Sequence, residues 1–300
     1  MKCFDVQVNG GFGINFSDPK LTADQFLKAA ESILGLGVTR FLPTIVTSSA
    51  ETYNHNMKLM NSVITAHHLE YAIPGYHLEG PFISKEPGAV GAHSPQYTRL
   101  PSADGVQKLF DLSEGRLRIL TMAAELPGIR EAVDKAHELG IVVSLGHQLA
   151  TDEQIKAAGG DSLTHLGNGI PNRIDRHRNP IWAGLANDDL MAFIIGDGHH
   201  LPNPVLKCFF RCKGIDRVII ISDAATVAGL PPGRYHIWDN VADLDASGLL
   251  YNPIKKCLVG SGMFLTQCID YLRKEELLTP EEIYKATWVN PHKLLKMDDK

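Results

Sequence analysis

Short apolar runs alternate along this chain with amphipathic stretches, and the pattern is clearest between residues 141 and 165. The run Ile141–Leu145 is apolar except for one serine, which is typical of a parallel strand that is buried on both faces. Thr151 and Gln154 form a capping-box pair, so a short helix is predicted to begin there. A second strand is predicted over Ser162–His165. His147 closely follows the first of these strands, and the second strand ends on a histidine.

The same alternation of strand and helix extends along the whole chain. Further helices are predicted to begin at or just after Thr22, Glu51, Gly128, Ser261 and Thr279. Eight strands are predicted, over Lys2–Asn9, Val38–Pro43, Tyr71–Glu79, Leu117–Ala123, Ile141–Leu145, Ser162–His165, Leu190–Ile195 and Val218–Ser222. Buried strands that alternate with helices predict an α/β fold, a (β/α)8 TIM barrel. We expect residues 1–300 to form this single barrel, with a hairpin-like insertion at about 234–258.

Polar and ionisable residues collect at the carboxyl ends of the predicted strands. In a (β/α)8 barrel these ends meet on one face, and barrel enzymes build their active sites there. The pattern therefore predicts an active site on that face, with candidates Gln7, Asn9, His77, Glu79, Glu125, His147, His165, Asp197, His199, His200 and Asp223.

Composition and charge narrow the classes of function. The 300 residues are 44% hydrophobic and carry a formal net charge of −5. We therefore expect a soluble protein with a large core and no nucleic-acid partner, because phosphate backbones select basic surfaces. With neither a signal segment nor a membrane-spanning run in the sequence, a cytoplasmic protein without a membrane partner is predicted. Cys208 and Cys212 are one helical turn apart and are interpreted as core residues.

One carboxylate and two imidazoles at the strand ends predict a metal site. Glu79, His147 and His165 supply three ligands and leave a fourth position open, which is the pattern of catalytic zinc. Such a metal lowers the pKa of a bound water to roughly 7, which makes hydroxide available near neutral pH. Asp223, after the eighth strand, is the candidate general acid–base. The alternatives are hydrogen-bonded core histidines and, for Asp223, a carboxylate that caps the next turn.

A basic loop over residues 172–179 follows the sixth strand and contains three arginines. Arginine together with free backbone N–H groups suits a phosphate or another oxyanion, so this loop is a candidate for recognising an anionic substrate. The alternative is a solvated run of charges that binds nothing. The negative net charge does not exclude an anionic substrate, because distant charges are screened beyond about 8 Å.

Nine short motifs occur in order along the chain: DVQVNGGFG from Asp5, HLEGPF from His77, GAH from Gly91, SLGHQLAT from Ser144, THLGN from Thr164, HRNP from His177, DGHH from Asp197, SDA from Ser222 and LVGS from Leu258. In this order they resemble the N-acetylglucosamine-6-phosphate deacetylase family of the amidohydrolase superfamily. The resemblance implies a metal-dependent barrel that removes acetate from an N-acetylated amino-sugar phosphate. The small β-sandwich domain that is usual in the family is not apparent, so the chain is expected to correspond to the barrel portion.

The resemblance also implies a role for individual residues. Glu79, His147 and His165 match the metal ligands, and Asp223 matches the catalytic acid–base. The substrate-contacting positions of the family match Gln7, His93, Asn168, Gly169, Arg178 and His200. A homodimer is expected as well. Two alternatives stay open: an amidohydrolase that acts on a different N-acyl or cyclic amide substrate, and a non-catalytic relative that binds sugar phosphates.

The number of metal ions follows from the end of the first strand. Binuclear amidohydrolases carry a His-x-His sequence there, whereas this chain has Gln7 and Asn9. Amide side chains are weak ligands for zinc beside imidazole or carboxylate. We therefore expect one divalent metal per chain, with zinc favoured and iron(II) or cobalt(II) as alternatives.

Overall fold

Eight parallel strands pair in the order in which they occur along the chain. The structure, a computed structural model, describes residues 1–237 and 240–298. The strands are β1 (Phe4–Val8), β2 (Arg40–Val46), β3 (Tyr76–Glu79), β4 (Leu117–Met122), β5 (Val142–Leu145), β6 (Ser162–Leu163), β7 (Met191–Ile195) and β8 (Val218–Ile221). Nearly every strand residue is buried, as apolar sequences of this kind predict for a sheet covered on both faces.

The first and last strands close this sheet into a barrel. Val8 forms a parallel bridge with Ala224, and the amide of Asn9 donates to the carbonyl of Ala224 at 2.9 Å. The Asp5 carboxyl group strengthens the closure, because its oxygens accept from the hydroxyl and the amide of Ser222 at 2.5 and 3.3 Å. The predicted (β/α)8 barrel is therefore confirmed.

Helices connect the strands, and several begin with the capping residues that the sequence contains. They are α1 (Ala23–Gly35), α2 (Ala50–Ala66), α3 (Ala103–Leu112), α4 (Ile129–Glu138), α5 (Asp152–Ala158), α6 (Pro180–Ala186), α7 (Asn203–Lys213), α8 (Leu265–Lys274), α9 (Pro280–Tyr284) and α10 (Asn290–Leu295). Thr22, Thr151 and Thr279 each cap a helix in a reciprocal capping box. Such caps satisfy amide groups that the helix itself leaves unpaired.

Helix α7 corrects the interpretation of the two cysteines. Cys208 and Cys212 are exposed, whereas Leu206, Phe209 and Phe210 take the buried face of the helix. The one-turn spacing correctly placed both cysteines on one face. That face is the outer one, because the larger apolar side chains fill the space against the barrel.

Strand β2 lies further along the chain than predicted. It extends over Arg40–Val46, beyond the proline at which the sequence pattern suggested an end. Pro43 has no amide to donate, and it pairs with Val8 at an irregularity in the register. The amide of Val8 donates to the Thr44 hydroxyl at 3.0 Å, which supplies a bond that the ladder lacks there.

After β8 the chain forms a separate antiparallel sheet where the hairpin-like insertion was predicted. Its four strands are β9 (Gly233–Ile237), β10 (Asn240–Leu244), β11 (Leu250–Asn252) and β12 (Cys257–Leu258). Residues 238 and 239 of the predicted insertion lie outside the described residues. The apolar side chains of this sheet form their own cluster, and Ala92 packs against it. The sheet therefore contacts the loop that carries His93.

None of the helices in the described ranges has both the length and the apolar character needed to cross a bilayer.

Candidate active site

A cavity of about 760 Å³ opens at the carboxyl ends of the barrel strands. Most of the residues predicted for the site line it: Asn9, Glu79, His93, His147, His165, Asn168, Gly169, His200 and Asp223. This is the face on which barrel enzymes bind their substrates. The cavity is large enough for a monosaccharide derivative.

Three of these side chains converge on one point. The Nε2 atom of His165 lies 2.8 Å from Oε1 of Glu79, and the Nε2 atom of His147 lies 3.1 Å from the same oxygen. The two Nε2 atoms are 3.0 Å apart. Ligands that bind zinc tetrahedrally at 2.0–2.1 Å are separated by roughly 3.3 Å. The three atoms are therefore spaced much as a zinc ion would hold them.

The hydrogen bonding of His147 supports this interpretation. Its Nδ1 lies 2.7 Å from the carbonyl oxygen of Ala89, so Nδ1 carries a proton and donates it. In the neutral ring Nε2 then holds a lone pair, which faces the Glu79 carboxylate. Orientation of a ligating histidine by a carbonyl on its other nitrogen is usual in metal sites. The residues present thus fit a divalent metal held by Glu79, His147 and His165.

His93 is close enough to be considered as a ligand in place of His165. Potential ligand atoms of Glu79, His93 and His147 lie within 4.8 Å of one another. However, the amide of Thr47 donates to Nδ1 of His93 at 3.3 Å, which places the proton of the neutral ring on Nε2. Burial, followed by the neighbouring His147, lowers the pKa of His93 to about 3. A neutral ring with Nε2–H is a hydrogen-bond donor, so the geometry favours His165 as the third ligand.

Asp223 is held beside this cluster by two amides. The Gln7 side chain donates to Oδ1 of Asp223 at 3.1 Å and to Oε1 of Glu79 at 3.0 Å, and Asn9 donates to the same Oδ1 at 2.7 Å. Gln7 is fully buried and bridges the two carboxylates; it is not among the residues that line the cavity. Burial, and then repulsion from Glu79, raises the pKa of Asp223 to about 6.

Three residues of this site share an unusual backbone conformation. His147, His165 and Asp223 have positive φ angles of 49°, 30° and 52°. Residues other than glycine rarely adopt this region, and such strain is concentrated at functional sites. Each of the three lies just beyond the end of a barrel strand, where the turn aims its side chain over the barrel.

His200 is oriented by a buried aspartate. Its Nδ1 donates to Oδ2 of Asp197 at 2.7 Å, and the Ser261 hydroxyl donates to the same oxygen at 2.9 Å. Burial alone would raise the pKa of Asp197, but the neighbouring His200 holds it below its usual value. The ring of His200 is thus fixed at the cavity wall.

Gly169 makes a close approach to both histidines of the cluster. It has a φ of 62°, and a Cβ atom there would lie 3.0 Å from Nδ1 of His147 and 3.1 Å from Cε1 of His165. A larger residue would push against both rings. The Asn168 side chain donates to the carbonyl of His165 at 3.3 Å, so this loop packs tightly on the cluster.

Several predicted residues lie elsewhere. Arg178 is exposed and is not among the residues that line the cavity; its amide donates to the Asp175 carboxylate at 2.7 Å. His77 is a core residue that bonds the Val6 carbonyl at 3.0 Å and the Thr121 hydroxyl at 2.8 Å. His199 bonds the carbonyl of Ser247. The strand-end pattern therefore selected some residues that do not reach the cavity.

The sequence analysis missed two groups that orient site histidines. Thr47 directly follows β2 and its hydroxyl lies 3.1 Å from Nδ1 of His93, so the strand-end rule would have found this side chain if the end of that strand had been predicted correctly. The carbonyl of Ala89 belongs to the backbone and has no signal in the sequence.

Comparison with known proteins identifies the family. No protein-family model matches the chain. The chain is 33% identical to N-acetylglucosamine-6-phosphate deacetylase of Danio rerio, over 97% of this chain and 74% of that protein. It is 28% identical to N-acetylgalactosamine-6-phosphate deacetylase of Escherichia coli O157:H7, over 98% of this chain and 77% of that protein.

A solved structure agrees with these sequence matches. An aspartate-to-alanine variant of N-acetyl-D-glucosamine-6-phosphate deacetylase from Mycobacterium smegmatis, in complex with N-acetyl-D-glucosamine-6-phosphate, superposes with a TM-score of 0.88 and 26% identity. The match covers 99% of this chain and 77% of that chain. Fold and site together define an amidohydrolase, a hydrolase of amide carbon–nitrogen bonds. The chain belongs to the N-acetylglucosamine-6-phosphate deacetylase family, which confirms the resemblance found in its motifs.

Proposed function

We propose that this enzyme removes the acetyl group from an N-acetylhexosamine 6-phosphate, with N-acetylglucosamine 6-phosphate as the first candidate. The products are then the amino-sugar phosphate and acetate. The observation that carries the proposal is the convergence of Glu79, His147 and His165 beside Asp223 in a cavity of about 760 Å³. Support also comes from relatives named for this activity and from the sugar phosphate bound by the M. smegmatis variant.

The metal part of the proposal assigns one divalent ion per chain, with zinc favoured, to Glu79, His147 and His165. A metal bound there supplies Lewis acidity toward an amide carbonyl and lowers the pKa of water. Gln7 donates to Glu79 and Asp223, so it bridges the two carboxylates without adding a charge.

Asp223 is the proposed general acid–base. It takes a proton from the attacking water and delivers it to the leaving nitrogen of the amine. A pKa near 6 suits a group that must accept and release a proton close to neutral pH. Gln7 and Asn9 both bond Oδ1, so that oxygen is fixed and Oδ2 is the one proposed to exchange the proton.

His93 and His200 are proposed to bind the substrate. The Nε2–H group of His93 is suited to donating to the carbonyl oxygen as negative charge develops on it. His200, held by Asp197, is placed for a sugar hydroxyl, and Asn168 and Gly169 line the same space. Gln7 contributes through the carboxylates that it bridges.

Arg178, the homodimer and the cytoplasmic location stay predictions. Arg178 is exposed and does not line the cavity of its own chain, although Asn172 and Ile174 of the same loop do. A contact between Arg178 and the phosphate therefore needs a different position of this loop or the loop of a second protomer.

Acetate release tests the proposal. Purified zinc-loaded enzyme is incubated with N-acetylglucosamine 6-phosphate, N-acetylgalactosamine 6-phosphate and N-acetylglucosamine, with the Asp223→Asn variant as the control. We expect release from at least one hexosamine phosphate, weaker release from the unphosphorylated sugar, and release slower by roughly 10² to 10⁴ with the variant.

The outcomes separate the alternatives. A preference for the galactosamine compound would favour the activity named for the E. coli relative. No release from any of the three sugars would overturn the proposal and leave a different N-acyl or cyclic amide substrate, or a non-catalytic role.

A further inference from the structure

We propose that Ser261 is a positioning residue, which holds the carboxylate partner of His200 and thereby sets how tightly the sugar is bound. Ser261 lies where the chain returns from the antiparallel insertion to the barrel, between β12 and α8. It is not among the residues that line the cavity, so it acts through another side chain. This inference rests on the proposed function, because it concerns the affinity for the same sugar.

The hydroxyl of Ser261 has a fixed orientation. It accepts from the amide of Met263 at 3.1 Å, and it donates its own proton to Oδ2 of Asp197 at 2.9 Å. Both Ser261 and Asp197 are buried, with 1% of each residue exposed. Because a hydrogen bond to an ionised acceptor is stronger than one between neutral groups, this contact holds the carboxylate firmly.

Asp197 in turn uses both of its oxygens to hold the segment that carries His200. Oδ1 accepts from the amides of His199 and His200 at 2.9 and 3.0 Å, and Oδ2 accepts from Nδ1 of His200 at 2.7 Å. Among the described residues, the hydroxyl of Ser261 is the only donor to this carboxylate from outside residues 197–200. The hydroxyl therefore anchors the aspartate, and with it the ring of His200, to the rest of the protein.

The backbone of Ser261 is fixed separately, to the end of β8. Its amide donates to the carbonyl of Asp223 at 2.9 Å, and its carbonyl accepts from the amide of Ala225 at 2.8 Å. Gly260 permits this approach: its φ is 67°, and a Cβ atom there would lie 3.1 Å from the carbonyl oxygen of Asp223. These backbone bonds do not involve the hydroxyl, so a variant without the hydroxyl keeps the contact with Asp223 and loses only the contact with the aspartate that orients His200.

The antiparallel insertion supports the same arrangement. The amide of Gly262 donates to the carbonyl of Gly248 at 3.1 Å, and Nε2 of His199 donates to the carbonyl of Ser247 at 3.0 Å. A Cβ atom at Gly262 would lie 2.6 Å from the carbonyl oxygen of Gly248, so a glycine is needed at this contact. One turn of the insertion thus contacts both the residue that follows Ser261 and the segment that the aspartate holds.

Ser113 provides a matched control for the loss of a buried hydroxyl. It is fully buried, and its hydroxyl also makes two hydrogen bonds: it donates to the carbonyl of Phe110 at 2.7 Å and accepts from the amide of Leu117 at 3.0 Å. It lies just before β4, at the end of the barrel opposite the cavity. Ser113→Ala therefore reports what the loss of such a hydroxyl does to stability alone.

Sugar binding and turnover are measured on zinc-loaded enzyme. Calorimetry with N-acetylglucosamine 6-phosphate uses the Asp223→Asn background, in which hydrolysis is slow. Ser261→Ala should weaken binding by about 5- to 50-fold, less than the roughly 10²-fold loss that a misplacement of 1 Å can cause. In the enzyme that retains Asp223, KM should rise while kcat stays near wild type, the pattern of a contact that binds the ground state and the transition state alike. Ser261→Cys, whose S–H group is a weaker donor, should show a smaller loss, and Ser113→Ala should show none.

A double-mutant cycle tests whether Ser261 acts through Asp197. Asp197→Asn removes the negative charge that accepts from both Ser261 and His200. Ser261→Ala should then cause little further loss of affinity, because residues that act through one network are not additive. Equal losses in the two backgrounds would overturn the inference. So would unchanged affinity in Ser261→Ala, an equal loss in Ser113→Ala, or a fall in kcat without a rise in KM.

A measurement without sugar separates this inference from the proposed function. The Cε1–H signals of isotope-labelled histidine are recorded by NMR on zinc-loaded enzyme, and the signal of His200 is assigned by its absence in His200→Gln. Ser261→Ala should shift or broaden this signal, whereas Ser113→Ala should leave it in place. An unchanged signal in Ser261→Ala would overturn the inference even if wild type releases acetate. A changed signal in an enzyme that neither binds the sugar nor releases acetate would support the positioning of His200 by Ser261 and refute the proposed function.

Discussion

The Nε2 atoms of His147 and His165 lie 3.0 Å apart, although the two residues are separated by 18 positions in the sequence. Each follows one of two neighbouring parallel strands, and each has a left-handed backbone at that point. Because Nδ1 of His147 donates to the Ala89 carbonyl, the lone pair of its Nε2 points at His165 and Glu79. Two imidazoles and a carboxylate in this arrangement are well suited to share a cation.

Metal analysis of single-residue variants tests which residues hold that cation. Enzyme dialysed against excess zinc should contain about one zinc per chain, since Gln7 and Asn9 are weak ligands for a second ion. His147→Ala and His165→Ala should lose most of the metal. His93→Ala should keep the metal and lose activity, because Nε2 of His93 carries a proton.

The control for these variants is His199→Ala, whose side chain bonds Ser247 outside the cluster and should retain the metal. Retention of zinc in His165→Ala together with its loss in His93→Ala would reverse the assignment of the third ligand. Two fully occupied metals bridged by Glu79 would contradict the stoichiometry.

Asp223→Asn should separate chemistry from metal binding. The substitution keeps the shape of the side chain but cannot accept the proton of the attacking water, so kcat should fall by roughly 10² to 10⁴ while zinc content and melting temperature stay near wild type. Steady-state kinetics and metal analysis of the same preparation check this. Turnover at a near wild-type rate would show that another group is the acid–base.

Gln7→Leu should weaken both the fold and the reaction. It removes the amide that donates to Glu79 and Asp223, so two buried carboxylates lose a shared partner and the free energy of unfolding should fall by about 1–3 kcal/mol. Asn61→Leu is a suitable control, because Asn61 is also buried and hydrogen-bonded. Its side chain accepts from the Tyr76 hydroxyl at the start of β3 and donates to the Ser113 carbonyl. Chemical denaturation should show a loss in both variants, whereas kcat should fall in Gln7→Leu alone; unchanged kcat in Gln7→Leu would contradict its proposed role.

The stability of the barrel closure should depend on pH through Asp5. Burial raises the pKa of Asp5 from 3.8 to about 7, so the folded protein retains this proton where the unfolded chain has lost it. The resulting stabilisation is fully present below pH 3.8 and is lost as the pH rises through about 7. Between about pH 5 and pH 8, wild type should therefore lose stability relative to Asp5→Asn, which resembles the protonated form. If the free energy of unfolding instead changed with pH equally in the two proteins, Asp5 would be charged in the folded protein at both pH 5 and pH 8, and the prediction would be wrong.

The sequence predicted the barrel and the centre of the site for a clear physical reason. Parallel strands buried on both faces have near-continuous apolar sequences, and their carboxyl ends all meet on one face. The positions of Glu79, His147, His165 and Asp223 follow from these two rules alone. The capping boxes at Thr151 and Thr279 also depend only on residues close in sequence, and both were confirmed.

The extent of β2 and some of the residues that line the cavity depend on contacts between distant parts of the chain. Pro43 lies inside β2 although it has no amide to donate, and beside it the Thr44 hydroxyl accepts from the amide of Val8; no local pattern indicates either feature. The side chains that reach the cavity from outside the barrel strands also could not be predicted from local sequence. The basic loop contributes Asn172 and Ile174 to the cavity but none of its arginines, whereas the turn of the antiparallel insertion contributes Lys256. That sheet packs against Ala92, next to His93, which no local pattern indicates.

A zinc titration of acetate release tests the central claim most directly. Enzyme stripped by a chelator receives increasing zinc, and acetate released from N-acetylglucosamine 6-phosphate is measured at each ratio. The account predicts no release without metal, a rise to a plateau at about one zinc per chain, and a plateau lower by roughly 10² to 10⁴ for Asp223→Asn. Full activity in the stripped enzyme, or no acetate at any ratio of zinc to chain, would contradict it.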